Sequence, residues 1–218
     1  MIRNTIIVPR VLMMATSCDW DIDWGGQSAG EDTARGDTVV YNRFPRFVGS
    51  PKMTLPRDVI GHWRALRWQM QGRVHAWSIP MLDEVSYAWS RSTWQADWQA
   101  YVADQYIEPR PQVSIVGAFP AGSSSIVVDE TAADEPLRIG AIYSVADWPF
   151  VVTGRSGSGA AVTLQVQRLA QAVSDGDLVD LYARGLFVST SDTMGNPAYT
   201  RARQTAVDLS FVEWITRV

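Results

Sequence analysis

Between Pro109 and Thr190 the chain repeats one kind of segment. Val113-Ser114-Ile115-Val116, Ser125-Ile126-Val127-Val128, Ala141-Ile142-Tyr143-Ser144-Val145, Phe150-Val151-Val152, Val162-Thr163-Leu164-Gln165-Val166 and Leu178-Val179-Asp180-Leu181-Tyr182 are short β-branched runs. Gly, Asp and Pro punctuate them. Such runs are too short for helices and too regularly broken for one long sheet. They predict a small β-barrel or sandwich. Pro109 and Pro111 mark its entry. Gly154-Arg155-Ser156-Gly157-Ser158-Gly159 lacks the Lys-Ser or Lys-Thr of a phosphate loop and precedes a strand, so it reads as a hairpin turn.

The flanking regions have another style. Eight of the ten Trp fall between Trp20 and Trp98. Ile6-Ile7-Val8 and Val11-Leu12-Met13-Met14 read as strands, with Pro9 and Arg10 interrupting any export-signal core. Asp19-Trp20-Asp21-Ile22-Asp23-Trp24 alternates, placing Trp20, Ile22 and Trp24 on one face and three carboxylates on the other. The same Asp-x-Asp-x-Asp opens a calcium loop, but Gly25 falls one place late and Gly30 stands where a bidentate Glu is needed. Thr38–Tyr41 and Arg43–Val48 are further extended segments. Pro56–Gln71 is the best helix. Val59, Trp63, Leu66 and Met70 form its apolar stripe, and Gly72 stops it. His62 and Trp68 lie off that stripe. Arg73–Ile79 reads as a strand, and 92–105 reads as a shorter helix with Ser92 and Gln95 at capping-box spacing. Ala206–Trp214 alternates as a last strand. It has too few neighbours to form a domain, so it should pair with the first region. Residues 1–108 and 191–218 then form one unit, into which 109–190 is inserted.

Composition narrows the function. The formal charge is −4 and 46% of residues are hydrophobic. Disorder needs the opposite balance, and a nucleic-acid reader needs a concentrated positive field. The single Cys, Cys18, excludes an internal disulfide or thiolate cluster. His62 and His75 are the only histidines, without the partners that a triad or zinc site requires. Asp83 and Glu84 are the one acidic pair placed for glycoside hydrolysis, and Trp platforms would suit a carbohydrate-binding module. No catalytic residue, cofactor or metal is assigned.

Trp63-Arg64-Ala65-Leu66, Gln71-Gly72-Arg73 and Trp77-Ser78-Ile79-Pro80 occur in an order that resembles tail-tip proteins of long-tailed bacteriophages. Ile139–Ser144, Phe150–Val152, Asp175–Val179 and Val207–Glu213 extend the resemblance over the chain from about residue 45 onward. It implies a distal tail protein or a neighbouring minor tail protein. The implied fold is mainly β: a tail-tube-like β-sandwich with one flanking helix and an inserted small β-domain. The implied role is a structural, non-enzymatic virion subunit in a six-fold ring. Its implied partners are further copies of itself, the tail-tube protein, the hub or baseplate protein and the tape-measure protein. DNA meets it only in passage, and it has no membrane anchor. Trp68, His62, Trp77 and Trp214 are the expected subunit contacts. Asp19, Asp21 and Asp23, or Glu31 and Asp32, are expected to face the lumen, where like charge keeps DNA from sticking.

Overall fold

A computed structural model describes residues 3–13, 17, 19–31, 37–40, 45–87, 91–197 and 204–217. Within strands and helices, the side chains at 27–31, 37–40, 91–95 and 204 are outside this description. The protein is mainly β. In chain order the elements are β1 (Thr5–Ile7), β2 (Asp21–Asp23), β3 (Gln27–Glu31), β4 (Asp37–Val40), β5 (Arg46–Gly49) and β6 (Lys52–Pro56). Helix α1 (Ile60–Met70), β7 (Ala76–Pro80) and helix α2 (Arg91–Val102) follow. The middle contributes β8 (Gln112–Ile115), β9 (Ser125–Asp129), β10 (Ile142–Val145), β11 (Trp148–Ser156), β12 (Val162–Gln167) and β13 (Leu178–Asp180). The chain closes with β14 (Arg184–Ser189), β15 (Gln204–Asp208) and β16 (Phe211–Glu213).

Strands β8 to β13 form a closed barrel in the order β10-β11-β12-β9-β8-β13. Closure removes free edges, which suits short strands in a small unit. Alternation does the rest: Val162, Leu164 and Val166 point inward while Thr163 and Gln165 do not. Of the segment 154–159, Gly157–Gly159 lies in the β11–β12 turn as its composition predicts, whereas Gly154–Ser156 is the paired end of β11.

The base is a six-stranded sheet, β1-β7-β14-β16-β5-β2, with β15 and β6 pairing separately. Register puts Ile6, Trp77, Phe187 and Glu213 in one row on the inner face. Helix α1 covers that face with the expected stripe: Val59, Trp63 and Met70 are buried, and Leu66 packs against the same core. The Trp63 and Trp77 rings stack 5.7 Å apart at 10°. Each indole N–H is satisfied, Trp63 by the Gly195 carbonyl and Trp77 by the Ser189 hydroxyl, both at 2.8 Å. A Cβ on Gly195 would sit 2.9 Å from the Trp63 ring, and its φ of 70° also favours glycine.

Several expectations are corrected. Val11–Met13 is not a strand: Arg10–Met13 is a buried 3-10 turn, begun where the Leu12 N–H reaches the Pro9 carbonyl at 3.0 Å. The helix starts later than Pro56, because Arg57–Val59 winds as a 3-10 turn first. It ends at Met70, with Gln71 in the left-handed conformation ahead of Gly72. The shorter helix read at 92–105 is present as α2, Arg91–Val102; the Ser92–Gln95 side chains lie outside the described residues. The final run is two strands, broken at Leu209-Ser210, so β15 joins β6 while β16 joins β14 and β5. Strand β14 lies inside the expected insertion but pairs with β7 and β16. The inserted strands therefore end at Asp180, not at 190. Cys18, Asp32, Tyr41, Arg43, Phe44 and Trp89 lie outside the described residues, as do the side chains of Glu31 and Trp94.

Candidate interaction surfaces and the barrel–base junction

The outer face of the base sheet follows from the same register. Ile7, Ser78, Leu186 and Trp214 occupy one outward row. Val48, Val188 and Val212 occupy the next. Ile7 is 56% exposed, and Leu186, Val188, Val212, Val48 and Trp214 are half-buried. The Arg3 guanidinium lies 5.8 Å from the Trp214 ring centre, and the indole N–H donates to the Thr216 hydroxyl at 3.0 Å. Trp214 thus stands at the border of an apolar, half-buried sheet face, with Arg3 and Thr216 as its polar contacts.

Helix α1 presents the second surface. Trp68 is 62% exposed, with the Arg64 guanidinium 4.6 Å from its ring centre. His62 is exposed and meets Tyr101 of α2 edge-on at 5.3 Å. Trp77 is corrected: it is buried in the inner core against Trp63 and Phe211, because its strand is covered on both faces. It cannot be a subunit contact while the core is closed.

The acidic strand is less uniform than its sequence. Asp19 accepts the Ser50 N–H at 2.5 Å, and Asp21 accepts the adjacent Ile22 N–H at 2.7 Å. Asp23 pairs with Arg46 at 3.3 Å and accepts the Gly25 N–H at 2.9 Å. Asp19 and Asp21 are exposed; Asp23 is partly shielded and neutralised. Trp20 turns inward against Phe187 at 5.2 Å, and Ile22 packs on the same core, whereas Trp24 is 45% exposed. The expected common face of Trp20, Ile22 and Trp24 is therefore split, since only Asp21–Asp23 is extended.

The hydrolase pair does not form. Asp83 accepts the Val85 N–H at 2.9 Å and the Ser86 hydroxyl at 3.0 Å, so it shapes a turn, and Glu84 is exposed beside it. That turn has another use. It carries Tyr87 into the barrel core, where the phenol oxygen accepts the Asp134 N–H at 2.6 Å. Among the described residues no group of three His, Cys, Asp or Glu side chains gathers to hold a metal.

The strongest polar constellation lies at the junction of barrel and base, and sequence reasoning missed it. Arg168 follows β12 and reaches Glu213 of β16 at 2.5 Å, with both side chains almost fully buried. Glu213 also accepts the Phe47 N–H at 2.9 Å and faces Arg217 at 3.8 Å. Arg168 donates to the Pro45 carbonyl at 2.8 Å and the Pro149 carbonyl at 3.0 Å. Arg217 lies 3.7 Å over Trp148 and donates to the Asp147 carbonyl at 2.6 Å. Burial raises the Glu213 carboxyl pKa despite two neighbouring arginines. Burial also lowers Arg217 to about 10, against the pull of Glu213 and Asp147.

A second network braces the two linkers. Arg184, just after the barrel, pairs with Glu108, just before it. The same guanidinium donates to the Val8 carbonyl at 3.0 Å and the Ser78 carbonyl at 3.2 Å. Glu108 accepts the Arg10 N–H at 3.0 Å, and the Arg10 guanidinium covers Tyr182 at 3.9 Å. Between the networks is a cleft of about 20 Å³, lined by Glu108, Arg110, Asp147, Asp180, Tyr182 and Arg184. It has room for about one water. Burial raises the Asp180 carboxyl there, against a 2.7 Å bond from the Gln112 amide. One signal was readable: period 2 puts Glu213 on the same face as Phe211, so a carboxylate stands at a core position. Arg168 carries no comparable mark.

No family model matches the chain, and no curated protein matches it.

Proposed function

We propose that this chain is a structural subunit of a phage tail tip, similar to a distal tail protein, that closes into a homo-oligomeric ring between tail tube and hub or baseplate. The observation that carries the reading is the outer sheet face. Ile7 is exposed, and Leu186, Val188, Val212 and Trp214 are half-buried along one apolar strip. Half-open apolar strips of this kind mark contact surfaces. A ring supplies the cover through a heterologous contact, in which one patch meets a different patch of the next copy. Trp68 and His62 on α1 supply a second, separate patch. A six-fold ring would then contact the tail-tube protein on one side and the hub protein on the other. The tape-measure protein and DNA would occupy the lumen in turn. Asp19 and Asp21 are the exposed carboxylates suited to a lumen that DNA slides through. The subunit does no chemistry in this reading.

The test is mass and shape. The chain is measured by light scattering over a wide concentration range, alone and with the tail-tube and hub proteins, and imaged by negative stain. Rings support the proposal; monomer under every condition sinks it. Glycan adhesion is the second reading, favoured by the exposure of Trp68. Binding on a glycan array that is lost in Trp68→Ala would select it.

A further inference from the structure

The barrel is inserted through two linkers, an arrangement that ordinarily leaves a unit free to swing. Three attachments oppose that freedom here. The first is the turn Met81–Tyr87. It leaves β7, the strand buried on both faces, and delivers Tyr87 into the barrel core. There Tyr87 meets Tyr182 at 6.2 Å and accepts the Asp134 N–H, while Val85 lies 3.8 Å from where a Cβ on Gly140 would be. The second is the Arg168–Glu213–Arg217 cluster, which ties the end of β12 and the Asp147-Trp148 turn to β16. The third is the Arg184–Glu108 pair at the linkers themselves. Ile142, Val151 and Ala183 add apolar contact to the base core.

The geometry points to a strap and a clasp: Met81–Tyr87 and the Arg168–Glu213–Arg217 cluster together make the barrel a rigid extension of the base sheet. Buried ion clusters contribute little net stability compared with apolar packing, but in this cluster any other placement of the barrel leaves Glu213 or an arginine buried without its partner. Both attachments end on strands of the base, one on β7 and one on β16. A load on the barrel therefore reaches the sheet directly and is not absorbed in the linkers. This holds whatever larger assembly the chain joins.

Spin-label distances in the full chain test it. With Cys18→Ser as background, labels go on Gln69→Cys in α1 and Ser158→Cys at the hairpin tip, both exposed positions. The parent should give one narrow distance distribution. The double variant Tyr87→Ala/Glu213→Gln should broaden it about twofold while far-ultraviolet dichroism stays unchanged. A broad or two-peaked parent distribution overturns the inference, and so does unchanged width in the folded double variant. Should that variant not fold, Tyr87→Leu/Glu213→Met, which keeps apolar volume at both positions while removing the Asp134 bond and both arginine contacts, is judged by the same criterion.

Discussion

The barrel and the base solve the same problem by different means. The barrel packs mainly aliphatic residues around Tyr87, Tyr143 and Phe150, and half of its strand pairings join neighbours in sequence, β8 with β9, β10 with β11 and β11 with β12. The base packs Trp63, Trp77, Phe47, Phe187 and Phe211 and gathers strands from both ends of the chain, with β1 beside β7 and β16 beside β5. Local pairing is announced by local pattern. Distant pairing depends on aromatic rings that bridge elements, so the base should be the more sensitive to loss of a single side chain.

Trp77→Ala should break the base first. Its ring is fully buried and its N–H is bonded, so the loss is expected at about 4 kcal/mol. Chemical denaturation should then show base unfolding well before the barrel; coincident loss at the parental midpoint would contradict it. Glu213→Gln acts at the junction and leaves Arg168 and Arg217 buried without their counter-ion. A cost of about 3 kcal/mol is expected by thermal melting, and a neutral result would contradict it.

Inside the barrel, Tyr143 gives a pH-dependent comparison. Burial pushes its phenol from 10.0 to about 12. The folded protein keeps that proton where the unfolded chain loses it. Stability from Tyr143 is thus complete below pH 10 and lost as pH rises to 12, about 2 kcal/mol in all. Tyr143→Phe should flatten this part of the alkaline stability curve; an unchanged slope would show that other groups set it. The smallest effect on stability belongs to Trp68→Ala, within about 0.5 kcal/mol, because the ring is mostly exposed. If Trp68 is a ring contact, self-association should weaken about tenfold in the same variant by sedimentation.

The candidate site divides along the same line as the fold. Trp68 and His62 were legible as outward residues because they fall off the Val59–Met70 stripe. Trp77 was not, since Ser78 on the opposite side of its strand is buried beneath Arg184, so neither face of the strand is a solvent face. Tyr87 gave no sign of entering the barrel, because nothing local links a turn after β7 to a core built 25 or more residues later, as expected for non-local contacts of roughly that separation.

Sequence alone determined the elements with a clear local pattern. Period 2 and turn residues specified the barrel strands, and period 3.6 specified α1, because these patterns are local consequences of backbone geometry. Tertiary structure decided the partners. It split the last strand between two sheets, moved Arg184–Ser189 from the inserted unit to the base, and brought Arg168, Glu213 and Arg217 together. Those outcomes rest on burial and pairing across long separations, where one residue's environment is set by segments that its own neighbourhood does not encode.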